Sequence, residues 1–252
     1  MTLPQTIIVT GGTKGIGAEI SSAFCKSGAS VLIGARHDNG FVNDLGKTAR
    51  FQCIDVCRPN DHKMLVEAAL EWTGRIDVFI NCAGYSAWKP VVGIDEHFWD
   101  QMIDTNLKGT FFGCQAAAEH LQSPGGSIIN ISSLAGKRGS ANNSVYCASK
   151  FGVNGLTQAL AKELGPRGIR VNAVCPVYVQ TPGLLNALQD IHAPPLGTDV
   201  TQYLETFTEG NSALSRLPSG NEVAKACIFL ASKESSAITG QCINVDCGVL
   251  PQ

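Results

Sequence analysis

The chain has 252 residues, 44% of them hydrophobic and 16% charged, with a formal net charge of −2. That length can bury one sizeable core without a metal or disulfide staple, and a near-neutral charge with no Lys/Arg run argues against nucleic-acid or anionic-membrane partners. No apolar run approaches the roughly 18–20 residues of a bilayer span, and the opening MTLPQTIIVTGG lacks the basic start and long apolar core of a signal peptide, so a cytoplasmic location is expected.

The first strand candidate, TIIVT (6–10), runs into the glycine cluster TGGTKGIG and a helix candidate at 15–27. Gly11, Gly15 and Gly17 form G-x-x-x-G-x-G. Such a turn lets the backbone approach a pyrophosphate closely and aims helix N-terminal N–H groups at anionic oxygens. After a strand in a βαβ pattern, this spacing points to a dinucleotide. SVLIGA (30–35) is the second strand. A carboxylate about 20 residues beyond the glycines normally accepts the ribose 2′-hydroxyl. Here Ala35 is followed by Arg36, and Lys14 lies inside the turn. Two cations without that carboxylate suit a 2′-phosphate, which Arg grips as a fork. NADP(H) is therefore expected, with NAD(H) the alternative because Asp38 is near. The crossover His37 to Ala49 is short and rich in Asn, Asp and Gly, so its helix should be stunted or absent.

The remaining strand candidates are RFQCIDV (50–56), IDVFIN (76–81), GSIINIS (126–132), IRVNAVC (169–175) and QCINVD (241–246). Helix candidates lie at 60–73, 95–121, 144–164 and 220–232, the last opened by the capping-box pattern Ser219-Gly-Asn-Glu222. The strand runs are continuously apolar, as in strands covered on both faces. Repeated β-then-α order predicts a doubly wound α/β fold with a parallel seven-stranded sheet. No linker or composition break divides residues 1–252, so one domain is expected. The segment 182–218 is long, polar and irregular, which predicts a lid or substrate loop.

Ten cysteines without a C-x-x-C read as small buried hydrophobes in a reducing compartment, and five scattered histidines show no metal-ligand spacing. Within the helix candidate 144–164, Tyr146 and Lys150 stand four residues apart and so share one face, with Cβ atoms roughly 5–6 Å apart. A phenol with a pKa of about 10 is a poor acid–base near neutrality. A neighbouring ammonium favours phenolate, and moving the pKa to about 7 needs some 4 kcal/mol of differential stabilisation.

Five stretches then agree in order and spacing: TGGTKGIG, NCAG (81–84), NISS (130–133), YCASK (146–150) and CPVYVQTP (175–182). In these the chain resembles the short-chain dehydrogenase/reductases, in their compact single-domain branch, over nearly its whole length. The resemblance implies a catalytic tetrad of Asn106 (in DTNLKG), Ser133, Tyr146 and Lys150. Ser133 would hold the substrate oxygen against Tyr146, and Asn106 would hold a water connecting Lys150 to solvent. It also implies cofactor contacts from Gly11, Thr13, Lys14, Gly15, Ile16 and Gly17 at the pyrophosphate turn, with Arg36 beyond it. Asp55 and Val56 would lie at the adenine, Asn81, Ala83 and Gly84 along the ribose, and Val179 and Thr181 at the carboxamide, with Tyr146 and Lys150 also touching the cofactor. Three positions depart from the family pattern: Cys82 for the usual alanine, Val177 for the glycine after the proline, and Cys247 for a glycine in VDCG. A β-branched Val177 would stiffen the loop and add bulk beside the nicotinamide.

Expected pocket walls are Tyr85, Ser86, Trp88, residues 134–141, Val177, Tyr178 and the 183–217 loop. They suit a neutral carbonyl or alcohol of small to medium size, cyclic substrates included, although Arg138, Arg216 and His192 could meet an anionic group. The expected activity is hydride transfer between NADP(H) and a ketone or secondary alcohol. Alternatives are an NAD-dependent alcohol or diol dehydrogenase, a same-scaffold enzyme using hydride transiently, and a non-catalytic dinucleotide-binding protein. The resemblance makes a homotetramer the usual assembly, with a homodimer as the variant, through the helices at 95–121 and 144–164.

Overall fold

The computed structural model describes residues 5–251 apart from Pro124. Strands β1 (Thr6–Thr10), β2 (Ser30–Ala35), β3 (Ala49–Cys53), β4 (Val78–Asn81), β5 (Ser127–Ile131), β6 (Arg170–Pro176) and β7 (Cys242–Val245) form one sheet in the order β3-β2-β1-β4-β5-β6-β7. Every neighbouring pair is parallel. Every residue of β1, β4 and β5 is buried, which is why these strands read as unbroken apolar runs rather than alternating ones. Successive side chains still point to opposite faces. Ile7 and Val9 pack with Phe24, Val223 and Leu230 on one side, and Ile8 packs with Leu65, Phe79 and Ile128 on the other.

The helices are α1 (Gly15–Lys26), α2 (Phe41–Asp44), α3 (Pro59–Thr73), α4 (Glu96–Ile103), α5 (Gly109–His120), α6 (Ser144–Leu164), α7 (Pro182–Ala187), α8 (Val200–Asn211) and α9 (Gly220–Ala231). The strand order reverses between β1 and β4. Such a switch opens a crevice beyond the carboxyl ends of the strands, where ligands of open α/β sheets bind. None of the helices among the described residues is long and apolar enough to cross a membrane.

The short second crossover holds only the four-residue α2 and a 3₁₀ turn, Gly46–Thr48. The capping box at Ser219 and Glu222 is formed in full. Two sequence expectations need correction. The segment 95–121 is not one regular helix, because a π-helical turn, Asp104–Lys108, separates α4 from α5. Such widened turns occur often at functional sites, and this one carries the buried Asn106. The segment 182–218 is not structureless: α7 and α8 form within it, capped by the side chains of Thr181 and Asp199. Their polar, proline-flanked sequence hides a short apolar face, Leu184, Ala187, Leu188 and Leu204, that packs around Trp88 and Ala193.

Candidate active site

The crevice begins at the glycine turn after β1. Gly11 has φ +68°, and a Cβ there would stand 2.7 Å from the Ala83 Cα. A Cβ on Gly17 would strike the Gly11 carbonyl. The turn is thus folded against itself and against the loop after β4, and only glycine fits. Helix α1 begins after Lys14, its N-cap residue, with no side-chain cap and no acidic residue in its first turn. Its first N–H groups and positive dipole end are left for an outside anion. Across the cleft, Thr181 approaches within 3.5 Å of where a Gly15 Cβ would be. The Thr181 hydroxyl caps α7 by accepting from the Leu184 N–H at 3.2 Å. These residues fit a dinucleotide: a bare helix terminus for the pyrophosphate and backbone pared to glycine on the approach.

The end of β2 fits the adenosine side. Arg36 and Lys14 are both exposed, and neither pairs with a carboxylate among the described residues. Asn39 Nδ2 donates to the Thr13 carbonyl at 2.9 Å, fastening the segment after Arg36 to the glycine turn. The Asp38 carboxylate accepts from the Gly40 N–H at 2.9 Å, a local turn contact. Asp55 and Val56 lie just past β3. Asp55 accepts from the Cys57 N–H, and the Val56 carbonyl bonds the His62 ring at 2.9 Å. The Asn81 amide faces inward, donating to Asn130 Oδ1 at 2.9 Å, so what it offers the crevice is backbone. Ala83 and exposed Gly84 follow it along the rim.

At the reactive end, two polar contacts rivet the 132–136 turn to α6. Ser132 Oγ donates to the Lys150 carbonyl at 3.3 Å, and Asn154 Nδ2 donates to the Gly136 carbonyl at 2.8 Å. Ser133 is thereby held toward Tyr146. The Ser133 oxygen accepts from the Ala135 N–H at 3.1 Å, leaving its own proton free to donate. Lys150 is buried, with Nζ donating to the Ile131 carbonyl at 2.8 Å and lying 5.7 Å from the Tyr146 ring centroid. Asn106 Oδ1 and Lys150 Nζ both border Gly84. The Asn106 amide clamps the Tyr85 backbone, accepting from its N–H at 2.7 Å and donating to its carbonyl at 2.8 Å. Its Nδ2 also reaches Ser149 Oγ at 3.1 Å. The amide is therefore fixed in orientation by its protein partners.

The electrostatics differ from the simple tyrosine–lysine expectation. Burial pushes the Tyr146 phenol up to about 12, and the Ser133 hydroxyl offsets only part of that. Burial also lowers Lys150 to about 8. The ammonium is aimed at a backbone carbonyl, so desolvation outweighs its pull on the phenol. Burial thus favours the protonated form of Tyr146.

The substrate side shows further differences. Trp88 is only 4% exposed and packs beneath the α7–α8 segment, supporting it rather than lining an open wall. Val177 fills an apolar cluster with Leu134, Cys175, Phe207 and Val249, which accounts for bulk where glycine was expected. Arg216 is held by Glu222 in a two-pronged pair at 2.8 and 2.7 Å, so it is not free to meet a substrate anion. Cys247 has φ +54°, the backbone region that favours glycine. Residues not singled out in the sequence are Tyr203 and Phe207 on α8, whose rings lie edge-on to Tyr178 and tilted to each other. Nothing local in sequence marks them.

Known proteins resemble this chain over nearly its whole length. A family model described as Enoyl-(Acyl carrier protein) reductase matches residues 11–250. A Streptomyces virginiae protein named as a ketoacyl reductase of the monensin polyketide synthase is 38% identical, over 98% of this chain and 97% of its own. The 3-oxoacyl-(acyl-carrier-protein) reductase of Thermotoga maritima is 35% identical over 98% of each. A point variant of the actinorhodin polyketide ketoreductase, crystallised with NADPH, superposes with a TM-score of 0.89 at 31% identity, over 97% of each chain. The chain belongs to the short-chain dehydrogenase/reductase family. It is an oxidoreductase of CH–OH and ketone groups that uses a nicotinamide dinucleotide and a small-molecule substrate.

Proposed function

We propose that the protein is an NADP(H)-dependent ketone reductase, able to run in reverse as a secondary-alcohol dehydrogenase, with Tyr146 as its general acid. One observation carries this reading: a phenol kept protonated stands beside a serine hydroxyl with a free proton, in front of a buried lysine, at the mouth of a glycine-turn crevice. A protonated phenol is the form that can give its proton to a carbonyl oxygen. When bound, the nicotinamide supplies the hydride.

The chain's own residues do the rest. Ser133 donates to the substrate oxygen and orients it toward Tyr146. Tyr146 delivers the proton as the oxygen gains electron density. Lys150, charged below about pH 8, stabilises the phenolate left behind. Asn106 is a positioning residue here, holding Tyr85 and Ser149 so that Gly84 lies open beside Lys150.

NADP(H) is preferred on the strength of Arg36 and Lys14, exposed and without carboxylate partners, and of an Ala35 that cannot repel a 2′-phosphate. Val179 and Thr181 would hold the carboxamide. The substrate is a neutral carbonyl of small to medium size, cyclic ones included, under a lid formed by 182–218. Assembly as a homotetramer or homodimer is supported by apolar side chains left outward on α4, α5 and α6: Trp99, Phe111 and Phe151, each more than two-fifths exposed. Light scattering of the purified protein reads that assembly directly. The functional test is a panel of ketones followed by the absorbance of reduced cofactor, for the unmodified enzyme and Tyr146→Phe. Turnover by the first and its near-complete loss in the second is expected, and substantial activity in Tyr146→Phe would remove the assignment.

A further inference from the structure

Helix α3 opens on Pro59, Asn60, Asp61 and His62, and two side chains of that first turn reach back to the turn before it. Asp61 Oδ2 accepts from the Asp55 N–H at 2.7 Å, and His62 Nε2 meets the Val56 carbonyl at 2.9 Å. A carbonyl only accepts, so Nε2 carries the imidazole proton. His62 Nδ1 is then a bare acceptor, and it has no partner although the residue is wholly buried. An apolar side chain would fill such a place without an orphaned nitrogen, so the N–H given to Val56 is what the imidazole contributes. The same carbonyl is backed by α5, since a Cβ on Gly109 would stand 3.1 Å from it.

The clamped turn borders the adenosine side of the crevice. Ile54 donates its N–H to the Ala35 carbonyl at 3.0 Å, next to Arg36 at the end of β2. Asp55 Oδ1 is taken by the Cys57 N–H, and the Asp55 carbonyl by the Arg58 N–H. Asp55 Oδ2 and the Val56 N–H have no protein partner among the described residues. One acceptor and one donor on neighbouring residues complement the edge of an adenine, whose amine donates and whose ring nitrogen accepts. Resting on the dinucleotide-dependent reductase reading above, we propose that His62 and Asp61 are positioning residues for adenine recognition. They grip the peptide units on either side of the Asp55–Val56 bond, and so fix the free N–H and carboxylate oxygen that take the base.

The test titrates NADPH, NADH and adenosine 2′,5′-bisphosphate into the full-length enzyme, alongside ketone kinetics and urea unfolding. In His62→Leu, Kd for all three should rise about tenfold, the size of one lost hydrogen bond. The ketone KM and kcat at saturating cofactor should change by no more than about twofold. His62→Gln, whose amide nitrogen can take the place of Nε2 and donate to Val56, should recover most of the affinity. Asp61→Ala, at a partly exposed position, should weaken the same three ligands about threefold or more with little change in urea midpoint. If His62→Leu does not fold, the Gln and Asp61→Ala variants decide the matter. Unchanged affinity in Asp61→Ala, a Gln variant with no more affinity than Leu, or a fall in kcat with affinity intact would overturn the proposal. An unmodified enzyme that binds the nucleotides but reduces no ketone would remove the reductase reading and leave this one to the titrations. One that binds none of the three would overturn both.

Discussion

The nucleotide end and the substrate end of the crevice are built by different means. At the nucleotide end the shape is backbone: a glycine turn pressed against Ala83, an uncapped α1 terminus, and strands whose residues are buried on both faces. At the substrate end the shape is side chain: Trp88, Val177, Tyr178, Tyr203 and Phe207 converge from the loops after β4 and β6 and from α8. The first end tolerates almost no added atom, because neighbouring backbone cannot move aside. The second can repack around changes in ring or branch, and it is where related enzymes can diverge in what they accept.

The sharpest way to break this contrast is at the point where the ends meet. Tyr146→Phe should lower kcat by at least about a hundredfold, the scale of general acid catalysis, while cofactor affinity stays within a fewfold by fluorescence titration. Parallel losses in both would mean that the tyrosine is a structural contact. Next in size is Gly17→Ala, whose methyl meets the Gly11 carbonyl. It should weaken dinucleotide binding about tenfold or more, at an overpacking cost of about 1–3 kcal/mol. An equally small addition at the substrate end should be absorbed. Then comes Ala35→Asp, which should reverse the preference from NADP(H) to NAD(H) by about tenfold in relative affinity through repulsion of the 2′-phosphate. A parent enzyme that already prefers NAD(H) would show that Arg36 and Lys14 are merely solvated.

Lys150 gives a pH test with a worked sign. Its folded pKa of about 8 lies below the ordinary 10.5 because burial disfavours the ammonium. Between those pH values the unfolded chain holds the proton and the folded chain does not, so folding stability of the free protein should rise with pH there. The rise should be absent in Lys150→Met, as measured by urea midpoints. Over the same range kcat/KM should fall, because the charge that favours phenolate is lost. The smallest effect is expected at Cys247→Gly, which relieves a φ of +54° and should raise stability by up to about 1 kcal/mol.

Much of the nucleotide end was legible from residue order because its determinants are local. Gly11, Gly15 and Gly17 report a backbone need at their own positions. The i, i+4 spacing of Tyr146 and Lys150 places them on one helical face wherever the helix goes. The strands announced themselves by being apolar on both sides, and the stunted α2 by its Asn, Asp and Gly content. The π-turn at Asn106 was not legible, since it rests on an amide reaching Tyr85 and Ser149, 21 and 43 residues away. Nor were α7 and α8, whose polar and proline-rich sequence masks the few apolar positions that dock on Trp88.

By itself, then, the order of residues determined the parallel sheet and the glycine turn, and placed Tyr146 and Lys150 on one helical face, because periodicity and backbone freedom are properties of short stretches. The tertiary structure alone decided that Tyr146 is buried in a way that favours its protonated form, that Arg216 is taken by Glu222, and that Tyr178 meets Tyr203. Desolvation and pairing depend on which distant groups the fold brings together, and no local pattern encodes that.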